Sequence, residues 1–210
     1  RSVYDRVAQA YIAGLEKRVA QGLPVSSVAS VASFFISRID VAVDAHVAEH
    51  MAATDDDATR TALQSLRGKV AIANAKLAYQ QFREMQQRPE WRTLTERGAR
   101  PQRLLWASTG TKNPEYRDTY YVEELVGPET VNTLPPATYD AFRDHGRVRQ
   151  TLDQDVEGAQ AVLRSLEKHD IALEEINDRL LDDGLRLFST AFDKLLASVV
   201  AAGKEACRPI

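Results

Sequence analysis

The sequence predicts an α/β fold in which a few parallel strands alternate with many helices. Three short apolar segments, residues 28–36, 103–109 and 130–134, have the length and composition of strands, and helical periodicity fills the chain between and after them. Strands that are separated by helices are typical of parallel βα units. A closed barrel of eight such units takes about 250 residues. Three strands therefore predict either a small open sheet or an incomplete barrel.

Each predicted element rests on a local pattern. In chain order the elements are a helix (4–19), a strand (28–36), two helices (40–49 and 63–87), a strand (103–109), short helical turns (116–125), a strand (130–134) and three helices (137–144, 156–168 and 173–202). The helices carry apolar residues at spacings of three and four, and Gly22 and Pro89 mark the ends of the first and third helices. Residues 28–36 have no charge, which predicts a strand that is buried on both faces.

Composition and charge exclude several classes of protein. The chain has 210 residues, of which 44% are hydrophobic and 27% are charged, so it is neither disordered nor collagen-like. Its 27 basic and 30 acidic residues are interspersed and give a net charge of −3, so we expect no nucleic-acid partner. No apolar run approaches the roughly 20 residues that span a bilayer, so we expect no membrane partner. The chain begins with Arg1 instead of Met, so we expect a piece of a longer protein.

Cysteine and histidine give little support to redox or metal chemistry. The single cysteine, Cys207, cannot form an internal disulfide, which favours a reducing compartment such as the cytoplasm. Its position in a tail without a nearby histidine favours an incidental thiol over a nucleophile. His46 and His50 are four residues apart on a predicted helix, but the glutamate of a zinc-binding HExxH motif is missing. The acidic run at residues 55–57 is interpreted as a helix cap or a solvated loop. We therefore expect no metal site.

The carboxyl ends of parallel strands are where functional groups gather in this class of fold. Ser33 and Phe35 are two residues apart and share a face of the first predicted strand, and Arg38 follows just beyond it. Arginine forms paired hydrogen bonds to oxyanions, so one interpretation is a phosphate or carboxylate site. The other interpretation is a core phenylalanine beside a surface arginine in a local ion pair. Spacing alone favours the second interpretation.

The segments after the other two strands are also polar. Residues 108–112, Ser-Thr-Gly-Thr-Lys, follow the second strand, and their small side chains allow backbone N–H groups to approach an anion, with Lys112 adding a positive charge. A plain polar loop is the alternative. Thr130 and Asn132 share one face of the third strand and either line a polar pocket or only end the strand. No lysine lies within a predicted strand, so nothing in the pattern indicates imine chemistry in this chain.

Four segments are similar to one enzyme family. They are VASVASFFISRID over residues 28–40, GKVAIANAKLAY over 68–79, RPQRLLWASTGTKNP over 100–114 and YYVEELVGPETVNTLP over 120–135. They resemble transaldolases of the longer bacterial form and cover most of the chain up to the late helices. The resemblance implies an (α/β)8 barrel of the TIM type. Residues 1–210 are then expected to be its C-terminal part, with three strands similar to strands six, seven and eight.

The resemblance also implies an activity. A transaldolase of the pentose phosphate pathway transfers a dihydroxyacetone unit between sugar phosphates, from sedoheptulose 7-phosphate to glyceraldehyde 3-phosphate, through a lysine Schiff base and without a metal or organic cofactor. The Schiff-base lysine and the acid/base carboxylates are expected upstream of Arg1, so this chain alone is expected to be inactive. Two alternatives stay open, namely another lysine-imine aldolase of the same barrel type and a non-catalytic helical interaction module.

The resemblance assigns roles to five residues. Ser33, Phe35 and Arg38 match the S-x-F-x-x-R pattern after strand six, in which the arginine binds the substrate phosphate and the other two line the pocket. Ser108 matches a serine after strand seven that contacts the same phosphate. Shorter members of the family carry an arginine shortly after this serine, whereas here the basic residue is Lys112, for which we expect the same phosphate contact.

Overall fold

Three parallel strands form the sheet of this protein. The computed structural model describes residues 1–206, so Cys207 lies outside the described residues. Within them, β1 (Ser30–Phe35), β2 (Gln102–Ala107) and β3 (Thr130–Asn132) form one sheet in the order β1-β2-β3. Both strand pairs are parallel. The prediction of parallel βα units is confirmed.

Helices precede, separate and follow the strands in the sequence; the predicted end of the third helix at Gln87 is confirmed, whereas its predicted continuity is wrong. The helices are α1 (Ser2–Ala20), α2 (Ser37–Ala53), α3 (Asp57–Gln64), α4 (Val70–Gln87), α5 (Pro89–Glu96), α6 (Tyr120–Glu124), α7 (Pro136–His145), α8 (Val156–Lys168) and α9 (Leu173–Ala206). The single helix predicted over residues 63–87 is broken, because Gly68 between α3 and α4 has a φ of +70°. Pro89 occupies the first turn of α5, where a proline has no hydrogen bond to lose.

The middle strand carries the core of the sheet. Leu104 and Trp106 of β2 are fully buried. On one face of β1 the ring of Phe34 packs edge-on between the rings of Trp106 and Tyr4, at centroid distances of 5.8 and 5.4 Å. Tyr4 belongs to α1, so this chain of rings joins the first helix to the sheet.

The prediction that β1 is buried on both faces is wrong for the described residues. Ala32 is buried, whereas Val31 is 44% exposed and Phe35 is 43% exposed. Successive side chains of a strand point to opposite faces, so one face is covered and the other is open. An uncharged run has the same composition whether one face or both faces of the strand are buried. It therefore does not predict whether a second layer packs on the strand.

The C-terminal helix belongs to a second compact unit. The chain divides into residues 1–171 and the residues from Ala172 onward, which contain α9. Nine large apolar side chains of α9 are about half or more exposed, namely Leu181, Leu185, Leu187, Phe188, Phe192, Leu195, Leu196, Val199 and Val200. At helical spacing all of them except Leu187 share one broad face of this helix. No helix among the described residues is both long and apolar enough to cross a membrane.

The turn at Gly68 provides a stability prediction. An ideal Cβ at this residue would lie 2.6 Å from the Cζ atom of Tyr116, whereas a Cβ at Gly22, where φ is +71°, would meet nothing within 4 Å. Gly22→Ala should cost about 1–2 kcal/mol of unfolding free energy for the left-handed backbone alone. Gly68→Ala should cost about 1–3 kcal/mol more, because the Tyr116 ring must move.

Urea denaturation of the two variants in the full-length protein measures this difference. Gly22→Ala is the matched control, since it has the same backbone conformation without the steric overlap. Equal losses for the two variants would show that Tyr116 moves aside at no cost.

Candidate functional site

The carboxyl ends of β1 and β2 lie side by side. The register pairs Phe35 with Ala107, and the pairing continues one residue further, where the Ile36 amide donates to the Ala107 carbonyl at 2.9 Å. The residues that follow the two strands therefore meet at one edge of the sheet, as the parallel arrangement predicts. Since the predicted site residues lie at or just after the ends of these strands, we expect them to come together at this edge.

Arg38 is held against an aromatic ring at this edge. It lies in the first turn of α2, and its Cζ atom is 4.5 Å from the centroid of the Phe35 ring. Phe35 is exposed, and Arg38 forms no salt bridge with any described residue. The interpretation of a core phenylalanine beside an ion-paired arginine is therefore wrong. The ring instead orients the guanidinium through a cation–π contact.

Ser108 follows β2 in an unusual backbone conformation. Its φ is 57°, in the left-handed region that non-glycine residues seldom occupy. Its carbonyl accepts from the Ser37 amide at 2.9 Å, and the two serine Oγ atoms are 2.8 Å apart. Ser37 is the first residue of α2 and is fully buried. The structure thus brings Ser108 next to the residue that precedes Arg38.

Sequence reasoning missed Ser37. The one local sign was a serine placed directly after an apolar strand and at the start of a helix, which is a common place for a helix cap. Ser37 does not cap α2 with its side chain. Its partner is 71 residues away in the sequence, and such a contact has no local pattern.

A second polar contact joins β2 to β3. The hydroxyl of Thr109, which is buried, donates to the Oδ1 atom of Asn132 at 2.7 Å. The hydroxyl of Thr130 donates to the Gly127 carbonyl at 2.7 Å, within the turn that precedes β3. Asn132 therefore joins the ends of the two strands, whereas the Thr130 hydroxyl at the start of β3 stabilises the turn before it.

Ser33 and Lys112 are predicted site residues whose side chains are exposed and form no hydrogen bond with the described residues. Ser33 is exposed on the same face of β1 as Phe35, next to Leu105 of β2. Lys112 is exposed in the segment after β2, and neither its ammonium group nor the Ser33 hydroxyl has a hydrogen-bond partner among the described residues. Both groups are thus available to a ligand, but the protein does not fix their orientation.

A buried carboxylate on α2 anchors two neighbouring elements. Asp40 accepts from the Ala71 amide at 2.8 Å, near the start of α4, and from the Tyr121 hydroxyl at 2.9 Å, on α6. Burial raises the pKa of Asp40 to about 7, and these two hydrogen bonds only partly oppose the effect. Burial and the nearby Asp40 charge raise the pKa of Tyr121, so that its hydroxyl remains a donor.

A second carboxylate lies one helical turn further along α2. Asp44 accepts from the Gly68 amide at 3.0 Å and from the Tyr116 hydroxyl at 2.6 Å. Tyr116 belongs to the segment that follows β2 and carries Lys112. Asp40 and Asp44 together therefore tie the helix that bears Arg38 to the segment that follows Ser108.

The described residues offer no metal-binding cluster. No group of three or more His, Cys, Asp or Glu side chains is placed to hold an ion in the described part of the chain. His46 contacts Glu49, with Nδ1 and Oε2 3.5 Å apart. In the acidic run, Asp56 accepts from the Thr59 amide at 2.9 Å and caps α3, which confirms the helix-cap interpretation.

These features define a class of protein. The fold is a parallel α/β sheet, a class in which ligands bind at the carboxyl edge of the strands and helix N-termini favour anionic groups. The model of the Transaldolase/Fructose-6-phosphate aldolase family matches residues 3–199 of the chain. The chain belongs to this family. The family fold is the TIM barrel, of which three parallel strands and their helices form a part.

Curated relatives agree with the family assignment. The chain is 44% identical over 198 residues to a protein named Transaldolase from Trichodesmium erythraeum, with 93% of the chain and 52% of the relative covered. It is 48% identical over 199 residues to Transaldolase 2 from Nostoc punctiforme, with the same two shares covered. It is 47% identical over 193 residues to Transaldolase from Thiobacillus denitrificans, at 92% and 52%. The chain thus spans about half the length of these relatives.

Proposed function

We propose that the protein carrying this chain is a transaldolase and that the chain supplies the phosphate-binding end of its substrate pocket. In this reaction a dihydroxyacetone unit passes from one sugar phosphate to another through a lysine Schiff base. Family membership and the names of the curated relatives support the reaction. The observation that carries the binding role is the Arg38 guanidinium, which is stacked on Phe35 at the edge that also holds Ser108.

The chemistry of this edge suits a phosphate monoester. A guanidinium offers a planar pair of N–H donors to two phosphate oxygens, and it remains charged at any physiological pH. The amino end of α2 adds a partial positive charge from the helix dipole. Ser33 and Ser108 add hydroxyl donors, and Phe35 forms an apolar wall. Lys112 is proposed as a further, mobile positive charge.

The Schiff-base lysine is proposed to lie outside this chain. None of the three described strands contains a lysine. Lys112 is exposed in a loop, and the buried Lys76 lies on α4 with its Nζ 3.7 Å from the Oε2 of Glu124. An imine-forming lysine needs a neutral amine at the reacting carbon, and neither lysine is in such a place. The chain alone is therefore proposed to be inactive.

A second candidate is a fructose-6-phosphate aldolase, since the family description names both activities. The two reactions share the lysine imine and differ in the acceptor. An aldolase releases free dihydroxyacetone from fructose 6-phosphate, whereas a transaldolase passes it on to an aldose phosphate. The names of the curated relatives favour the transaldolase. The other alternative, a non-catalytic helical interaction module, is supported only by the exposed apolar face of α9.

The cellular setting remains a prediction. Sugar phosphates are the proposed partners, and a cytoplasmic location follows from the proposed reaction and from the single cysteine.

Borohydride trapping tests the proposed reaction. Fructose 6-phosphate and borohydride should convert one lysine of the full-length protein into a stable secondary amine, and mass spectrometry should place it outside this 210-residue sequence. The 210-residue chain alone should give no stoichiometric adduct. Omission of the sugar is the control, and slow labelling of many lysines does not count as an adduct. A stoichiometric adduct on Lys112 or on another lysine of this chain would contradict the proposal.

A further inference from the structure

We infer that Ser37 is a positioning residue, whose hydroxyl donates to Ser108 and so directs the Ser108 proton toward the phosphate of the substrate. The inference rests on the proposed function, because it assumes that Ser108 contacts a phosphate. It adds a residue that neither the sequence pattern nor the resemblance singled out. It also states which of the two serine hydroxyls donates the hydrogen bond between them.

Two contacts from one residue hold Ser108 in place. The Ser37 amide donates to the Ser108 carbonyl at 2.9 Å, and the two Oγ atoms lie 2.8 Å apart. Ser108 has a φ of 57°, which a serine adopts only where its surroundings enforce it. Ser37 therefore fixes both the backbone and the side chain of Ser108.

Burial determines the direction of the hydrogen bond. Each hydroxyl has one proton to donate. Ser37 is fully buried, and its hydroxyl has no other partner among the described residues. If Ser108 donated to Ser37, the Ser37 proton would be buried without an acceptor, which is costly. Ser108 is partly exposed, so its own proton finds an acceptor outside the protein. Ser37 is accordingly the donor.

This direction matches what an anion requires. A phosphate oxygen only accepts hydrogen bonds, so a serine that contacts it must have a free proton. With Ser37 as the donor, Ser108 accepts on one lone pair and donates outward. Ser37 also directly precedes Arg38 in the first turn of α2, so one short segment sets the positions of both phosphate-binding groups.

Steady-state kinetics of Ser37→Ala in the full-length protein test the inference, with fructose 6-phosphate and unphosphorylated fructose as the two substrates. The KM for fructose 6-phosphate should rise roughly 3–10-fold, the range that corresponds to one neutral hydrogen bond. The kcat for this substrate and both constants for fructose should stay unchanged. Ser37→Cys keeps the side-chain volume with a weaker donor, and it should show the same KM shift if Ser37→Ala does not fold.

A double variant separates positioning from a merely structural role. In the Ser108→Ala background, Ser37→Ala should raise the KM no further, because Ser37 acts through the Ser108 hydroxyl. Ser30→Ala is the matched control. The Ser30 Oγ accepts from the Gln102 Nε2 at 2.8 Å, so this variant also removes a serine contact between β1 and β2, but at the opposite end of the strands. Its KM should equal that of the wild type.

The outcomes distinguish the inference from the proposed function. If Ser108→Ala raises the KM for the phosphorylated substrate and Ser37→Ala does not, the inference is overturned and the proposed function stands. An equal loss for both substrates, or a further loss in the Ser108→Ala background, also overturns it. If neither Arg38→Ala nor Ser108→Ala changes this KM, the proposed phosphate site fails and the inference fails with it.

Discussion

Arg38→Ala is expected to raise the KM for fructose 6-phosphate by one to two orders of magnitude in the full-length protein. The substitution removes a charge-assisted contact that the proposed site makes in both the ground state and the transition state. Contacts of this kind contribute about 1.5–3 kcal/mol, which corresponds to that range of KM. The kcat should change little, since binding that is equal in both states does not alter it. Initial-rate kinetics with varied substrate measure the two constants.

Two control variants make this result specific. Arg38→Lys should restore only part of the affinity, because a point charge does not replace the planar pair of donors. Arg92→Ala removes an exposed arginine from α5, which precedes the amino end of β2, and it should leave the KM unchanged. Activity on unphosphorylated fructose should be almost the same in all three variants. If Arg38→Ala impairs both substrates equally, Arg38 supports the fold and does not bind phosphate.

Asp40→Ala is expected to destabilise the protein by about 2–4 kcal/mol at neutral pH. Two donors, the Ala71 amide and the Tyr121 hydroxyl, lose their acceptor in a buried place. Urea denaturation of the full-length protein measures the loss. Asp56→Ala removes an exposed helix cap on α3 and should cost clearly less. Losses of equal size would show that water replaces the Asp40 carboxylate at no cost.

The pH dependence of Asp40 has a definite sign. Its pKa in the folded protein is raised to about 7 from the ordinary 3.8, so the folded state binds a proton more tightly than the unfolded state does. Between these two values unfolding releases a proton, and the contribution of Asp40 to stability falls as the pH rises. Asp40→Asn removes the titration but keeps the shape. The stability of the wild type relative to Asp40→Asn should therefore drop by about 2.5 kcal/mol between pH 5 and pH 8. A rise over this range would contradict the raised pKa.

The strands and most helices were predictable because their causes are local. An uncharged apolar run between turn residues predicts β1, and α8 begins and ends where its periodicity predicts. The break between α3 and α4 has one local sign, Gly68, but a single glycine within a helical pattern does not by itself end a helix. The apolar period continues across it, and the turn is held by the Asp44 carboxylate, which lies on another helix. Contacts between elements outweighed the local pattern at that point.

The candidate site, too, was predictable only where its features have a local cause in the sequence. The S-x-F-x-x-R pattern and the strand-end position of Ser108 marked residues that the structure places together at one edge. The stacking of Arg38 on Phe35 and the contact between Ser37 and Ser108 depend on side-chain geometry, which spacing alone does not determine. Lys112 lies exposed in the segment after β2, and its contact with the phosphate stays a prediction.

The open edge of β1 has a consequence for the exchange of backbone amide protons with solvent. Since the Ile36 amide points to β2, the amides of Ala32 and Phe34 point the same way, and those of Val31, Ser33 and Phe35 point to the edge that no described strand covers. Those three protons exchange readily until another strand pairs with them. Two of these three residues, Ser33 and Phe35, belong to the candidate site. Protection of their amides from deuterium would therefore report, residue by residue, when the wall of the proposed substrate pocket is completed.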